Sequence, residues 1–440
     1  MMLPENVRYC LDRLEAANYP CYAVGGCVRD EILGLTPQDY DLCTAALPEE
    51  TAAVFSDHKL VLAGKKHGTI GVITPCGVVE ITTFRTEGGY QDHRHPDWVR
   101  FVPDIREDLA RRDFTVNAMA WSPTRGLQDP FGGKQDLDSG ILRAVGDPEA
   151  RFREDALRIL RGLRFAARYR LTPEEKTLDA MYALAPLMES LAVERIFEEL
   201  CKLLLWATAE DLLIFGSILG TLIPELEATR GFAQHSPHHL YDVYTHTAHV
   251  VEATPRELPL RWAALLHDLG KVPAFTLDET GRGHFYGHAE VSAQMADGIL
   301  RRLKAPTALR ERVVFLIEQH MTPLSPEPKA LRRRLSRYGK EPLLQLLALQ
   351  KADFCSKGVA GEPFDFDSIE ACLQEILAAQ SCLSLKDLAV SGHDLMALGI
   401  AGPAIGSWLN RLLELVLEEQ LPNEKALLLS YLNEHKEEPL

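Results

Sequence analysis

Near residue 148 the hydrophobic pattern changes period, and that change limits what the chain can fold into. Before it, apolar runs lie between glycine turns. CYAVGG (21–26), GTIGVIT (68–74) and VVEITTF (78–84) read as strands. Pro75-Cys76-Gly77 predicts a hairpin turn between the last two, and VRDEILGL (28–35) predicts a short helix directly after Gly25 and Gly26. After it, FREDALRILRGLRFAARY, LAVERIFEELCKLLLWA and DLLIFGSILGTLIPEL carry apolar residues at helical spacing, and no clear strand is expected beyond 150. The expected fold is α+β: an N-terminal mixed sheet with helices, followed by all-α regions. The His- and Pro-rich stretch 230–246 and GVAGEPFDFD (358–367) mark further boundaries, giving regions 1–145, 146–230, 231–357 and 358–440.

No apolar run approaches the roughly 18 residues that span a bilayer, and MMLPENVRYCLDRL is not expected to be a signal peptide. The nine cysteines form no CxxC pair and cannot all pair internally, which points to a reducing, cytoplasmic setting. Taken alone, the net charge of −16 argues against a nucleic-acid binder, since phosphate contacts need Lys and Arg. Two basic runs stand out against it. Arg151–Arg170 holds seven arginines and only two acids, Glu154 and Asp155, and KALRRRLSRYGK covers 329–340. Each is either a local RNA footprint or a solvated helix face.

Gly25 and Gly26 lie between a strand and a helix, where backbone can approach an anion closely. Asp39-Tyr40-Asp41 opens the run DYDLC. On a strand, residues i and i+2 share a face, so Asp39 and Asp41 are expected to project together and hold hard cations such as Mg²⁺. Glu80, on VVEITTF, is a candidate third ligand or a solvent-facing acid.

The ordered motifs GGCVRD, DYDLCT, KHGTIGV, EITTFR, LARRDFTVNAMA, DPFGG, EDALRILRGLRFAAR, ERIFEEL and GHDLMALGIAGPAIG run through nearly the whole chain. Their series resembles the class II branch of the polymerase-β-like nucleotidyltransferases: tRNA CCA-adding enzymes and bacterial poly(A) polymerases. The resemblance implies RNA 3′-end extension from CTP and ATP, with tRNA as partner and no DNA expected. A full CCA enzyme, an A-only or CC-only enzyme and a poly(A) polymerase are all compatible with it. A different class, an HD phosphohydrolase with a noncatalytic RNA-binding head, predicts loss of Asp39 or Asp41, and both are present.

The same resemblance assigns Arg29, Arg111 and Arg112 to the nucleotide site, Asp113 to the ribose 2′-OH and Asn117 to a sugar or metal-side contact. Forked guanidinium donors suit triphosphate oxygens. Glu154, Asp155 and Arg158, read as one helical face, become a protein template. Asp155 and Arg158 meet the Watson–Crick edge of the incoming base, Glu154 orients Arg158, and Arg161 follows one turn on. TEGGYQDHRHPDWVRF (86–101) reads as a mobile loop that takes part in switching from C to A addition.

His246, His267-Asp268 and Asp353 match the H…HD…D ligand set of HD phosphohydrolase domains. His288 and His320 fall where longer HD sites add ligands, and Lys271 is a candidate phosphate contact. The resemblance implies a divalent transition metal, Ni²⁺ or Mn²⁺, and a cyclic-phosphate or nucleotide substrate.

Overall fold

The computed structural model describes residues 1–89, 98–235, 240–358, 364–379 and 382–436. It divides into two compact units, Met1–Ala228 with Ile299–Ala305, and Thr229–Gly298 with Pro306–Leu440.

The first unit is built on a mixed sheet. Its strands are β1 (Cys21–Val24), β2 (Asp41–Thr44), β3 (Leu60–Val61), β4 (Thr69–Thr74), β5 (Gly77–Thr83), β8 (Ala120–Ser122) and β9 (Gly126–Gln128), in the order β3-β4-β5-β2-β1-β8-β9. Only β2 and β5 pair in parallel; the other neighbours are antiparallel. Tyr22, Val24, Cys43, Phe84 and Leu109 pack into one core cluster. The helix Glu5–Ala16 buries Val7, Cys10, Leu11 and Leu14 on the unit's other apolar layer.

The segment 86–101 departs from the expected loop. β6 (Arg85–Gly88) and β7 (Trp98–Phe101) form an antiparallel pair, held by register Arg85↔Phe101 through Gly88↔Trp98. Residues 90–97, the centre of that segment, lie outside the described residues. Strands also occur beyond 150, against expectation. Thr172–Pro173 pairs in parallel with Ile141–Leu142, and Thr276–Leu277 pairs with Gly283–His284. Two-residue strands carry too little alternation to be read from sequence.

The rest of the first unit is helical. Helices Leu157–Tyr169 and Val193–Leu204 pack together, and Ala209–Leu222 joins them. In the second unit, helices Val243–Ala253, Leu258–Leu266, Thr307–Gln319 and Lys340–Cys355 pack around a core that includes Trp262. A separate cluster with Leu395, Trp408, Leu412 and Leu428 holds the C-terminal helices.

Gly133 shows how tightly the head is packed. It begins the helix Gly133–Asp138, and a Cβ there would lie 2.1 Å from the backbone oxygen of Thr115, which cannot move independently. Gly133→Ala should therefore lower stability by about 1–3 kcal/mol and shift the 115–117 turn that carries Asn117. Urea unfolding measures it; an unchanged midpoint would show that the turn gives way freely.

Candidate active site and a second buried cluster

The sheet register builds the first site. β1 stops at Val24 because Gly25 turns away with φ +74°, a conformation that glycine adopts without strain. Val24 pairs with Asp41, so β2 has no partner on β1 before Asp41. The strand accordingly begins at Asp41, and Asp39 lies two residues outside it, exposed, rather than on the strand as expected. On the other side Leu42 pairs with Ile81, which sets Asp41 level with Glu80 on the sheet face opposite those buried side chains.

Surrounding protein crowds the Asp41 carboxyl and raises it above the ordinary range. Arg112 pulls it down, and the like charges of Glu80 and Asp39 push it further up. Among the described residues, the groups of three donors within 4.8 Å of one another do not include these three head carboxylates.

A cavity of about 420 Å³ opens beside Asp41. It is lined by Gly25, Gly26, Arg29, Arg111, Arg112, Asp113, Asn117, Asp155, Arg158 and Arg161, ten of the eleven residues expected at the nucleotide. The eleventh, Glu154, stands behind Arg158 at 2.6 Å. Seven arginines and three aspartates line the cavity, which is therefore cationic within an acidic chain.

Most of these arginines are already braced. Arg111 reaches Asp108 at 2.8 Å and Glu87 at 3.3 Å. Arg161 pairs with Asp113 at 2.6 Å. Asp113 also accepts from Asn117 Nδ2 at 3.0 Å and from the Phe114 N–H at 2.8 Å. Burial alone would raise the Asp113 carboxyl, but Arg161 and these donors hold it well below the usual range. Arg112, by contrast, meets Asp108 only at 3.4 Å, and its guanidinium packs against Gly25.

Glu154, Asp155 and Arg158 do not share one helix, contrary to expectation. The helix Pro148–Glu154 ends, Asp155 is extended at φ −142°, and the next helix starts at Leu157. Asp155 accepts from the Leu157 N–H at 3.0 Å and pairs with Arg195 at 3.0 Å, so it is drawn away from Arg158. Arg158 instead donates to Glu154 and, at 3.1 Å, to the Arg111 carbonyl.

The second unit gathers His246 from the helix Val243–Ala253, His267 and Asp268 from the turn after Leu258–Leu266, His288 from the start of His288–Arg302, His320 from the end of Thr307–Gln319 and Asp353 from Lys340–Cys355. His246, His267 and Asp268 form one group with ligand atoms within 4.8 Å, and Asp268, His288 and His320 form another; all five are buried. Asp353 lies 2.9 Å from His246 Nε2. Each ring is held through Nδ1 to a backbone carbonyl: His246 to Ser356 (3.2 Å), His267 to Ala264 (2.8 Å), His288 to Phe285 (2.8 Å) and His320 to Ile317 (2.6 Å). That turns each Nε2 toward the cluster, as the atom that could ligate a metal.

Nε2 of His267 and of His288 is buried and turned to the Asp268 carboxylate, 3.2 Å and 3.5 Å away, without a well-aligned hydrogen bond, so these donors converge as the ligands of one ion would. Burial, with His267 beside it, pushes His320 down to about 4, and burial also lowers His288; both are neutral at pH 7, the form that binds metal. The donor set therefore fits a transition metal. Lys271 lies 2.7 Å from Asp268 at the same place.

Sequence reasoning assigned no role to Asp108, Arg164, Phe165 or Arg195. Asp108 was legible as the residue three and four before Arg111 and Arg112; Arg164 and Arg195 stand inside quoted motifs with nothing local to mark them. In the second basic run, Arg332 pairs with Glu419 at 2.6 Å and Arg333 pairs with Glu418, tying that helix to the C-terminal helices.

Three family models match the chain: the poly A polymerase head domain at 21–143, the probable RNA- and SrmB-binding site of polymerase A at 170–229, and the HD domain at 238–357. The chain is 34% identical over 432 residues to a CCA-adding enzyme of Streptococcus gordonii, covering 97% of this chain and 96% of that one. A CCA-adding enzyme of Limosilactobacillus fermentum is also 34% identical, over 431 residues, with 97% and 95% covered. Among solved structures, the Bacillus stearothermophilus CCA-adding enzyme in complex with CTP matches with a TM-score of 0.74 at 27% identity, covering 99% of this chain and 98% of that one.

Asp108, fully buried, accepts from the Arg85 N–H (3.2 Å) and from Arg111 Nε (3.0 Å). Burial would raise its carboxyl, but Arg111 and Arg112 outweigh that and lower it. Asp108→Asn should cost about 3 kcal/mol at neutral pH, since it strips the charge from a buried pair. A lowered carboxylate stabilises above its unfolded value of about 3.9 and loses that contribution as pH falls through the folded value. The gap between wild type and Asp108→Asn in urea unfolding should hold from about pH 7 to 5 and shrink below about pH 4. A gap that already closes between those two higher values would contradict this.

Proposed function

The chain belongs to the family of CCA-adding enzymes, and from that membership we propose that it adds C, C and A to tRNA 3′ ends from CTP and ATP. The observation that carries the reading is that Arg158 and Asp155, each fixed by a third residue, both line the cationic cavity beside Asp41, and we read the two as a base-reading edge made of protein. There Arg158 is fixed by Glu154, Asp155 is fixed by Arg195, and Asp41 lines the same space. Cytosine and adenine each present an amino donor beside a ring-nitrogen acceptor, which a carboxylate and a guanidinium can pair together. Guanine and uracil present a carbonyl beside an N–H, the reverse order, and leave both side chains unpaired.

In each transfer the terminal 3′-hydroxyl oxygen of the RNA bonds the α-phosphorus. The bond from that phosphorus to the bridging oxygen breaks, pyrophosphate leaves with the bonding pair, and the hydroxyl proton passes to water. Arg112 and Arg111, with the Gly25-Gly26 turn, receive the triphosphate, and Asp113, held rigid by Arg161 and Asn117, receives the ribose. Asp39, Asp41 and Glu80 offer the hard oxygen donors that Mg²⁺ takes, and such cations, when bound, supply neutralising charge to the phosphates.

With that reading we propose four regions, head 1–145, neck 146–230, HD region 231–357 and tail 358–440, the tail gripping tRNA. The nine cysteines, none in a disulfide, fit a cytosolic setting, and no described helix is long and apolar enough to cross a membrane. No DNA partner is assigned.

A second activity is favoured by the buried histidine cluster. We assign His246, His267, Asp268 and Asp353, with His288 and His320, as ligands for Ni²⁺ or Mn²⁺ in a phosphohydrolase site. Water would add to the phosphorus of a 2′,3′-cyclic phosphate, and one ribose oxygen would leave and take up a proton.

Extension assays with tRNA lacking CCA, ending in C, and ending in CC test the first reading. Wild type should add C, C and A respectively, and A incorporation without any C would overturn the assignment. Asp41→Ala should lose at least about a thousandfold in rate. Arg158→Ala should cut C and A incorporation about a hundredfold and narrow the preference over U and G. For the second activity, Ni²⁺- or Mn²⁺-dependent opening of a 2′,3′-cyclic phosphate should vanish in His267→Ala; equal release from that variant would reduce the region to a scaffold.

A further inference from the structure

The HD cluster lies at the floor of a cavity of about 240 Å³ whose rim has a feature unrelated to metal binding. Asp268, His288, His320 and Asp353 form the floor, and Lys271 and Lys357 line the wall. At the rim stands Tyr286, 79% exposed. An aromatic ring this bare is usually disordered by its own freedom, but this one is braced. It stacks on His284 with ring centroids 5.3 Å apart and planes within 6°, and its hydroxyl lies 3.3 Å from His284 Nδ1.

His284 is fixed in turn. Its Nε2 lies 2.8 Å from Asp278 Oδ2, while Asp278 Oδ1 accepts from the backbone N–H groups of Thr280 (2.9 Å) and Arg282 (3.0 Å). The short hairpin Thr276–Leu277/Gly283–His284 carries the whole assembly. Phe285, between the two stacked residues in sequence, packs inward on Phe275 and under Lys271. Met321, 56% exposed, also lines the rim.

Metal ligands at the bottom and lysines on the wall suit a phosphate. A preorganised flat ring at the mouth suits a base, because any base offers a π face and stacking needs no particular edge. The cavity is small for a whole nucleotide, so a base attached to a phosphate held on the floor would emerge at Tyr286. We propose that Tyr286, braced by His284 and Asp278, is a stacking platform for the base of a nucleoside phosphate whose phosphate enters the HD cavity. The proposal rests on the phosphohydrolase reading of that cavity and adds to it a preference for esters that carry a base.

The test uses the full-length chain, as wild type, Tyr286→Ala and Tyr286→Phe. Adenosine 2′,3′-cyclic phosphate is the probe, and methyl riboside 2,3-cyclic phosphate is its base-free counterpart. In calorimetry with EDTA present, Tyr286→Ala should bind the nucleotide about tenfold more weakly and Tyr286→Phe as wild type does. With Ni²⁺ or Mn²⁺ added, Tyr286→Ala should raise KM for the nucleotide about tenfold with kcat within about twofold, and leave turnover of the base-free ester unchanged. Addition of C and A to tRNA should be the same in all three proteins. Equal metal-free binding by wild type and Tyr286→Ala, or an equal loss on the base-free ester, would overturn the platform. If the binding difference holds while no metal supports hydrolysis, the phosphohydrolase reading falls and the platform stands.

Discussion

Seven guanidinium groups around one cavity repel one another and resist leaving water, and the structure meets both costs with carboxylates placed beside them. Asp108 and Glu87 serve Arg111, Glu154 serves Arg158, Asp113 serves Arg161, Glu199 serves Arg164 at 2.8 Å, and Asp155 serves Arg195. Phe165 adds a ring with Arg164 at 4.4 Å, Arg29 at 5.2 Å and Arg161 at 5.3 Å from its centroid. The donors are thus set before any nucleotide arrives, the condition under which such groups would act on developing charge. A net charge of −16 is no obstacle to handling RNA and triphosphates when the positive charge is concentrated where it is used.

How far this was legible in the sequence depended on whether the cause was local. β1, β4 and β5 follow from alternation and glycine turns, and the helical remainder follows from spacing. The start of β2 did not follow, because the strand's first residue is decided by where β1 ends, and that is a fact about Gly25, sixteen residues earlier. The pairing of β6 with β7 is likewise a relation between two short segments, neither persuasive alone. Within the cavity, most lining residues follow from type and order within the motifs. Arg195 does not, although it stands in ERIFEEL, because its partner Asp155 lies forty residues away and only tertiary packing joins them.

The two clusters with metal-ligand chemistry differ as their donors require. The head offers carboxylates on a sheet, Asp41 at the start of β2 and Glu80 in the middle of β5, both reachable from solvent and open to a phosphate-bearing ligand. The helical unit offers imidazoles in the interior, where a charged group without a partner would be costly. Three of its histidines use one local device. His267, His288 and His320 each direct Nδ1 to the carbonyl three residues back, Ala264, Phe285 and Ile317. A ring tied this way keeps one tautomer and one direction, so helices from distant parts of the chain can aim at a common point without adjusting to one another.

The break at Asp155 shows why a helical reading of Glu154, Asp155 and Arg158 is wrong in a way that matters. On an unbroken helix, Asp155 and Arg158 would stand three residues apart and attract each other, and a template whose acceptor and donor are paired together has nothing left for a base. The extended residue at 155 separates them. Arg195 takes one oxygen of Asp155 and the Leu157 N–H takes the other, each leaving a lone pair, while Glu154 and the Arg111 carbonyl hold Arg158. Both groups are fixed by third parties, and both line the cavity. On the proposed reading, discrimination between bases would come from burying two groups that only the right edge can satisfy, which a flexible or self-paired couple could not achieve.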